Sequence, residues 1–239
     1  MNKSLTKDST MSTSMRNSLL LLASLLLAVL CGGCYTNDHV VNNDTIIGSG
    51  TIVSETRTPG SFIGIRVTGV AKVYITQDST EFLRIEADDN IIGRVTTSVD
   101  QGVLLVGLAQ GSYDNVTVKV YATMKNITLI EFTGSGSCVS MGPIQSDDLT
   151  CMITGTGSIT LSGTATRQTV LIAGAGSVQN FDLVSAQCSA SIMGTGNIEV
   201  TVSQQLDAVV AGVGTITYAG NPTIVHETTS GVGSVRPRQ

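Results

Sequence analysis

The sequence contains no tryptophan, and aromatic residues fill only 4% of its 239 positions. A core built around large rings is excluded. The apolar interior has to come from small and β-branched side chains, which favour strands over helices. Charge is scarce as well, at 13% against roughly a quarter in an average soluble protein. Three of the 13 basic residues and one of the 18 acidic ones lie within residues 1–34, leaving 10 against 17, a net charge near −7. That balance excludes a nucleic-acid partner and attraction to anionic lipid, both of which call for a basic surface. From Gly134 onward the only basic residues are Arg167, Arg236 and Arg238. No stretch after residue 34 combines helical periodicity with good helix formers, so the remainder reads as nearly all β.

Long apolar runs are also missing, apart from one near the start. Arg16 precedes Leu19–Leu30, apolar except for Ser24, and Cys31-Gly32-Gly33-Cys34 follows. A basic start, an apolar run of about a dozen residues and a small-residue exit make a secretory signal. The run is short of the about 20 residues a membrane-spanning helix needs. Its end is similar to a bacterial lipobox, with Cys34 as the residue to be lipidated, Gly33 and Gly32 before it and Leu30 four back. Cys31 stands where that motif usually has an aliphatic, and Leu30 is too bulky to precede a cleavage at Cys31 itself. Residues 1–34 are thus expected to be a signal peptide, 35–47 a polar tether and 48–239 the folded domain. The expected address is export and a lipid anchor in the outer membrane.

Glycine, by contrast, is abundant at 26 residues, and much of it is periodic. Gly-x-Gly followed by a small polar residue and usually an aliphatic recurs six times. The copies begin at Gly134, Gly155, Gly174, Gly194, Gly212 and Gly231, spaced by 21, 19, 20, 18 and 19 residues. Gly48-Ser49-Gly50-Thr51-Ile52 reads as a seventh copy that opens the domain. Aligned on the first Gly, Cys138, Ile159, Val178, Ile198, Ile216 and Val235 form an apolar column four places later. Ile153, Ile172, Ile192 and Val210 lie two places before it, and Cys151, Val170, Ala190 and Ala208 four before. Inward positions two apart are the mark of a strand. Ser137, Ser158, Ser177, Asn197, Thr215 and Ser234 form a polar ladder next to the glycines. A period of 18–21 residues fits one coil of a parallel β-helix-like solenoid, with neighbouring coils about 4.8 Å apart. The antiparallel sandwich is the competing architecture, but it rarely keeps one motif in one column through so many repeats.

The N-terminal half is less regular. Ser61–Thr76, Phe82–Ala87, Arg94–Val99, Val103–Leu108 and Val116–Ala122 alternate apolar and polar residues, separated by turns such as Asp88-Asp89-Asn90. These are either wider coils of the same solenoid or a β-cap covering its end.

The phrases GSFIGIRVTGVAKVYITQ, LRIEADDNIIGRVTTSVDQGVLLVGL and VTVKVYATMKNITLIEFTGSGSC, with the repeated GxGxI, resemble the putative auto-transporter adhesin head GIN domain. That family is common in exported proteins of Bacteroidetes. The resemblance spans roughly residues 48 to 238. It implies a β-helix-like fold and an envelope location, and it brings no catalytic residues, metal or cofactor. The chain has no long β-barrel segment of the autotransporter kind.

An enzyme on this fold would need two carboxylates about 5 to 10 Å apart. Asp147, Asp148, Asp182, Glu199, Asp207 and Glu227 are the acids of the repeat region, and no two share a column in adjacent coils. With only His39 and His226, a Ser-His-acid set has little to draw on. Calcium-binding glycine rolls need an Asp where this chain has Ser, Asn or Thr. Cys138, Cys151 and Cys188 read as buried apolar residues rather than as a disulfide or a metal site. No catalytic residue, metal ligand or cofactor is therefore assigned, and no ligand-binding residue can be named. The expected function is a non-catalytic envelope module that binds a protein, a glycan or its own kind. The alternatives are a carbohydrate-active enzyme on a β-helix and a scaffold that polymerises end to end.

Overall fold

The computed structural model describes residues 45–239. They form an all-β solenoid with a braced N-terminal end. The N-terminal part contains β1 (Ile46–Ile47), β2 (Ile52–Arg57), β3 (Gly64–Val67), β4 (Val70–Gln77), β5 (Phe82–Asp88), β6 (Val95–Asp100), β7 (Val103–Leu108), β8 (Tyr113–Asp114) and β9 (Val118–Met124). The repeats follow as β10 (Leu129–Phe132), β11 (Ser135–Ser140), β12 (Ile144–Ile153), β13 (Thr156–Thr160) and β14 (Gly163–Ile172). The chain ends with β15 (Ala175–Ile192), β16 (Thr195–Val210), β17 (Val213–Ala219), β18 (Ile224–Thr229) and β19 (Val232–Pro237).

Three faces wind around one interior. On face A the parallel order is β7, β3, β10, β12, β14, β15, β16, β18. On face B it is β9, β4, β11, β13, β15, β16, β17, β19. Face C is short and begins at Ile144–Ser146, which pairs with Gly163–Ala165 and then Leu183–Ser185. Consecutive exposed residues, Asp147-Asp148 and then Thr166-Arg167, mark the corner between faces C and A. The long strands β15 and β16 run around these corners without a break in their pairing pattern beyond local bulges.

The inward columns stack as the periodicity requires. Ile153, Ile172, Ile192 and Val210 are fully buried, and so are Cys138, Ile159, Val178, Ile198 and Ile216. Each side chain rests on the equivalent residue of the next coil, so mostly β-branched residues fill these columns, and Phe62 and Phe132 are the rings buried beside them.

The Gly-x-Gly corner joins faces A and B. Here the chain runs so close to the coil before it that a Cβ on Gly155 would collide with the Gly134 carbonyl oxygen, and one on Gly174 with that of Gly155. The same carbonyls accept the next coil's N–H: Thr156 donates to Gly134 and Ala175 to Gly155, both at 2.9 Å. Glycine is required at this corner for close approach of two backbones.

The structure corrects the sequence reading at the start of this column. Gly48-Ser49-Gly50 is not a member, because Ile52 lies in β2, which pairs antiparallel with β5. The column instead begins at Gly69, whose carbonyl oxygen lies beneath Gly134. Ala71 takes the place of the second glycine, in register with Gly136, which is why the motif is hard to see there. Ile46–Ile47 pair with Tyr113–Asp114, so the fold takes in the last residues of the stretch read as tether.

The N-terminal half proves to be both coil and cap. β3, β4, β7 and β9 extend the two parallel ladders, whereas β5 lies antiparallel on β9, β2 on β5 and β6 on β7. Arg57 ties the two sides of this cap together, donating from Nη1 to the Val95 carbonyl at 2.6 Å and from Nη2 to that of Ile92 at 3.1 Å.

Candidate functional site

Face B is a regular surface whose outward residues fall into columns. Its outward positions begin with Lys119 and Lys72, and Ser137, Ser158, Ser177, Asn197, Thr215 and Ser234 continue the row in strict register. The next outward column runs Tyr121, Tyr74, Val139, Thr160, Gln179, Glu199, Thr217, Arg236 along the same strands. Side chains two apart on a strand share a face, so a sequence period has become two straight rows of donors and acceptors, interrupted by Val139. A concavity of about 260 Å³ lies between these rows toward the C-terminal end, lined by residues including Asn197, Glu199, Thr215 and Arg236.

At the other end Tyr74 and Tyr121 stack at 4.9 Å with their rings 14° apart. Arg84 covers the far side of Tyr121 at 4.3 Å and pairs with Glu86 at 3.1 Å. The Tyr121 hydroxyl donates to Glu86, also at 3.1 Å. Burial, then this carboxylate, push the Tyr121 phenol above its ordinary value. Both faces of Tyr121 are thus occupied within the protein, and the stack is a brace, not an open platform for a sugar ring. Sequence reading passed over this feature. Its signal is Lys72-Val73-Tyr74-Ile75-Thr76 against Lys119-Val120-Tyr121-Ala122-Thr123, a second repeat with the same alternation.

The acids of the repeat region are dispersed. Asp148 is held by Arg167, with Nη2 to Oδ2 at 2.6 Å, and the guanidinium holds its carboxyl below the usual range. Asp207 accepts from Gln205 at 2.8 Å and pairs with His226 Nδ1 at 2.7 Å, and the hydrogen bond from His226 chiefly lowers its carboxyl. Ser189 is in register with Asp207 on the side away from His226, so these three do not form a nucleophile–base–acid relay. Glu199 lies between Gln179 and Thr217 on face B, and Glu227 is in register with Ala208 in the last coil. No two of the six acids are in register with each other. Among the described residues, no three His, Cys, Asp or Glu side chains come together as a metal site. Cys34 and His39 lie outside the described residues.

Another concavity, of about 460 Å³, opens where face C begins, next to Gln77, Asn126, Gln145 and Asp147. The preceding coil has no strand there, and the Gln77 amide takes its place. Its Nε2 donates to the Lys125 and Gln145 carbonyls at 2.9 Å each, and its Oε1 accepts the Gln145 N–H at 2.6 Å. With Asp148 held by Arg167, Asp147 is the acid this concavity has left over.

The three cysteines of the domain are free and buried. Burial pushes the Cys151 and Cys188 thiols up to about 12, and that of Cys138 higher still. Such thiols pack as small apolar groups and are not nucleophiles. The column six places before the first Gly holds Leu149, Cys188 and Leu206, but also Gln168, whose two amide atoms are buried without a hydrogen-bond partner.

With this geometry in hand, the sequence matches over residues 61–222 the family described as "Putative auto-transporter adhesin, head GIN domain". The chain belongs to that family. No curated protein matches it. Among solved structures, a putative adhesin from Bacteroides fragilis has the same fold, with a TM-score of 0.65 and 23% identity over 81% of this chain and 100% of its own. A putative adhesin from Parabacteroides merdae gives a TM-score of 0.48 at 21% identity, covering 82% of this chain and 100% of its own. A protein from Parabacteroides distasonis described as a putative lipid binding protein gives 0.47 at 21%, with the same coverage of both chains. Membership in a head GIN family carries the coarse function, an adhesion or binding module of exported, cell-envelope type.

Proposed function

We propose that the chain is a non-catalytic lipoprotein of the outer membrane that uses face B to bind a partner outside the domain. The observation that carries this reading is the pair of registered rows on face B. They offer a rigid series of hydroxyl and amide groups at strand spacing, about 4.8 Å apart. The dispersal of the acids supports a binding role over hydrolysis, because general acid–base chemistry on a glycoside needs two carboxylates facing one bond. Preorganised donors on a rigid sheet bind without the entropic cost of ordering a loop. Residues 1–34 hold the signal peptide and its lipobox, cleavage precedes Cys34, which takes the lipid, and the residues from 35 up to the first strand at Ile46 are the tether.

Two measurements test this. In a bacterial host, the full chain is expected to enter the membrane fraction and to incorporate labelled palmitate, while Cys34→Ser is expected to do neither. Purified chain should retain polysaccharide or matrix protein on an array without releasing reducing ends from any glycan. Release of reducing ends, abolished when an acid is replaced, would establish an enzyme and overturn the proposal.

A further inference from the structure

Lys72 and Lys119 occupy registered positions on the neighbouring strands β4 and β9. Their side chains leave the same face, one strand spacing apart. Like charges placed side by side on a sheet repel, and a nearby acid normally relieves them. Here the acids are engaged elsewhere. Glu86, which is in register with Lys119 across β5, is paired with Arg84 and accepts from Tyr121. Asp88, at the end of the same strand, is buried and accepts the N–H groups of Gly50 and Thr117 at 2.8 and 2.7 Å. Among the described residues, the ion pairs are formed by arginine, His226 approaches Asp207, and neither lysine takes part in such a contact. Lys72, Lys119 and Lys125 are the only lysines after residue 44, so two of the domain's three stand together in an acidic chain.

They also line a concavity of about 390 Å³, with Val70 and Val116 at its rim and Gly136 and Ser137 beside them. Ser137 continues the lysine column into the hydroxyl and amide row, which reaches the second concavity of face B at Ser177 and Asn197. Three strand steps separate β4 from β15, about 14 Å at the usual spacing.

We propose that this lysine pocket takes the anionic group of an acidic glycan, whose neutral hydroxyl-bearing units run along the row toward Asn197. The chemistry of face B selects among polymers. A protein partner would want an apolar or aromatic centre to bury, and the ring faces of Tyr121 are already covered. A membrane surface or nucleic acid would want a broader basic patch than two lysines. A chain rich in hydroxyls and bearing widely spaced acids matches two cations followed by a ladder of Ser, Asn and Thr. The inference rests on the reading of face B as a binding surface and adds its ligand class.

The test titrates the full chain in detergent with partly methyl-esterified polygalacturonate, its fully esterified neutral form, sparsely carboxymethylated dextran and dextran. The acidic polymers should bind and the neutral ones should bind at least about tenfold more weakly, with the difference shrinking as salt rises. The Lys72→Ala/Lys119→Ala double variant should lose about tenfold for acidic polymers, while Lys72→Arg/Lys119→Arg should keep most of the affinity. Both lysines are at the surface, so circular dichroism of the variants should match the parent. Asn197→Ala should weaken the polymers and leave inorganic phosphate unaffected. Equal affinity for neutral and acidic polymers, no binding of either acidic one, or no effect of the double alanine variant would overturn the proposal. So would inorganic phosphate competing as well as polymer does, or stronger capture by vesicles of equal parts phosphatidylcholine and phosphatidylglycerol. Neutral polymers bound as tightly as acidic ones would sink the lysine pocket alone and leave the binding-module reading standing.

Discussion

Single residues carry two opposite requirements in this solenoid, closeness at the corner and satisfaction in the core. At the corner, the space for a Cβ at Gly174 is already taken by the carbonyl oxygens of Gly155 and Thr154. Gly174→Ala must therefore push two coils apart along a whole ladder, and it should cost about 3 kcal/mol. Gly142 has no atom within 4 Å of the same position, and Gly142→Ala should leave the urea midpoint nearly unchanged. In the core, Gln168 replaces the Leu of its column and has both amide atoms buried with no hydrogen-bond partner of good geometry, beside the Cys151 thiol. An unpaired buried amide is destabilising, and leucine already fits the column at 149 and 206. Gln168→Leu should then raise stability by about 1–2 kcal/mol in urea denaturation. A loss of stability would show that the amide has a partner of its own.

Elements are held to one another by backbone ladders and by a few side-chain ties across coils. Arg167 links β14 to β12 through Asp148, and His226 links β18 to β16 through Asp207. Both carboxyls lie below their ordinary value in the folded protein. A carboxyl depressed on folding contributes stability that is fully present above its unfolded value and disappears as pH falls through its folded one. These ties should therefore act at neutral pH and fade below about pH 4. Both are solvent-exposed, so the effect is small and best read as a difference. The urea midpoint of Asp148→Asn/Asp207→Asn should fall less than that of the parent between about pH 5 and about pH 3, and parallel curves would refute the assignment.

The same elements show what the sequence could disclose. Where the chain repeats, a period becomes a column in space, so the inward stack, the polar ladder and the burial of Cys138, Cys151 and Cys188 were all legible. Where pairing depends on distant partners, it was not. Asp88 sits in an Asp-Asp-Asn string that reads as a turn, yet its carboxylate is buried by N–H groups 38 and 29 residues away. Gly48-Ser49-Gly50 has the motif without the neighbours, and Gly69 has the neighbours without the full motif. The paired lysines were written twice as Lys-Val-Tyr, but only the β4–β9 register makes them adjacent.

At the scale of the whole domain, the two ends of the solenoid are built differently, and that difference sets both its stability and its solubility. In a repeat protein each coil contacts only its neighbours, so the terminal coil is the least supported. The N-terminal end is braced by β2, β5 and β6. The C-terminal end has only β18 and β19, and Val232 is 73% exposed. Yet this end carries deterrents to pairing with another edge: Glu227 in register with Ala208, and Pro237 in register with Tyr218. Charge and proline are common means of blunting an open strand. Arg238 lashes the tail down, its guanidinium 4.3 Å above Phe181 and its N–H donating to Tyr218 at 2.7 Å. A chain ending at Gly220 loses these groups and bares β16 and β17, where Val210 and Ile216 are fully buried in the complete domain. It should keep its β-rich circular dichroism, because the earlier coils do not depend on the last, but unfold at lower urea. It should also associate as its concentration rises in sedimentation velocity, while the 239-residue chain should not. If the 239-residue chain forms filaments as readily, its last coil is a joint for assembly and not a stopper.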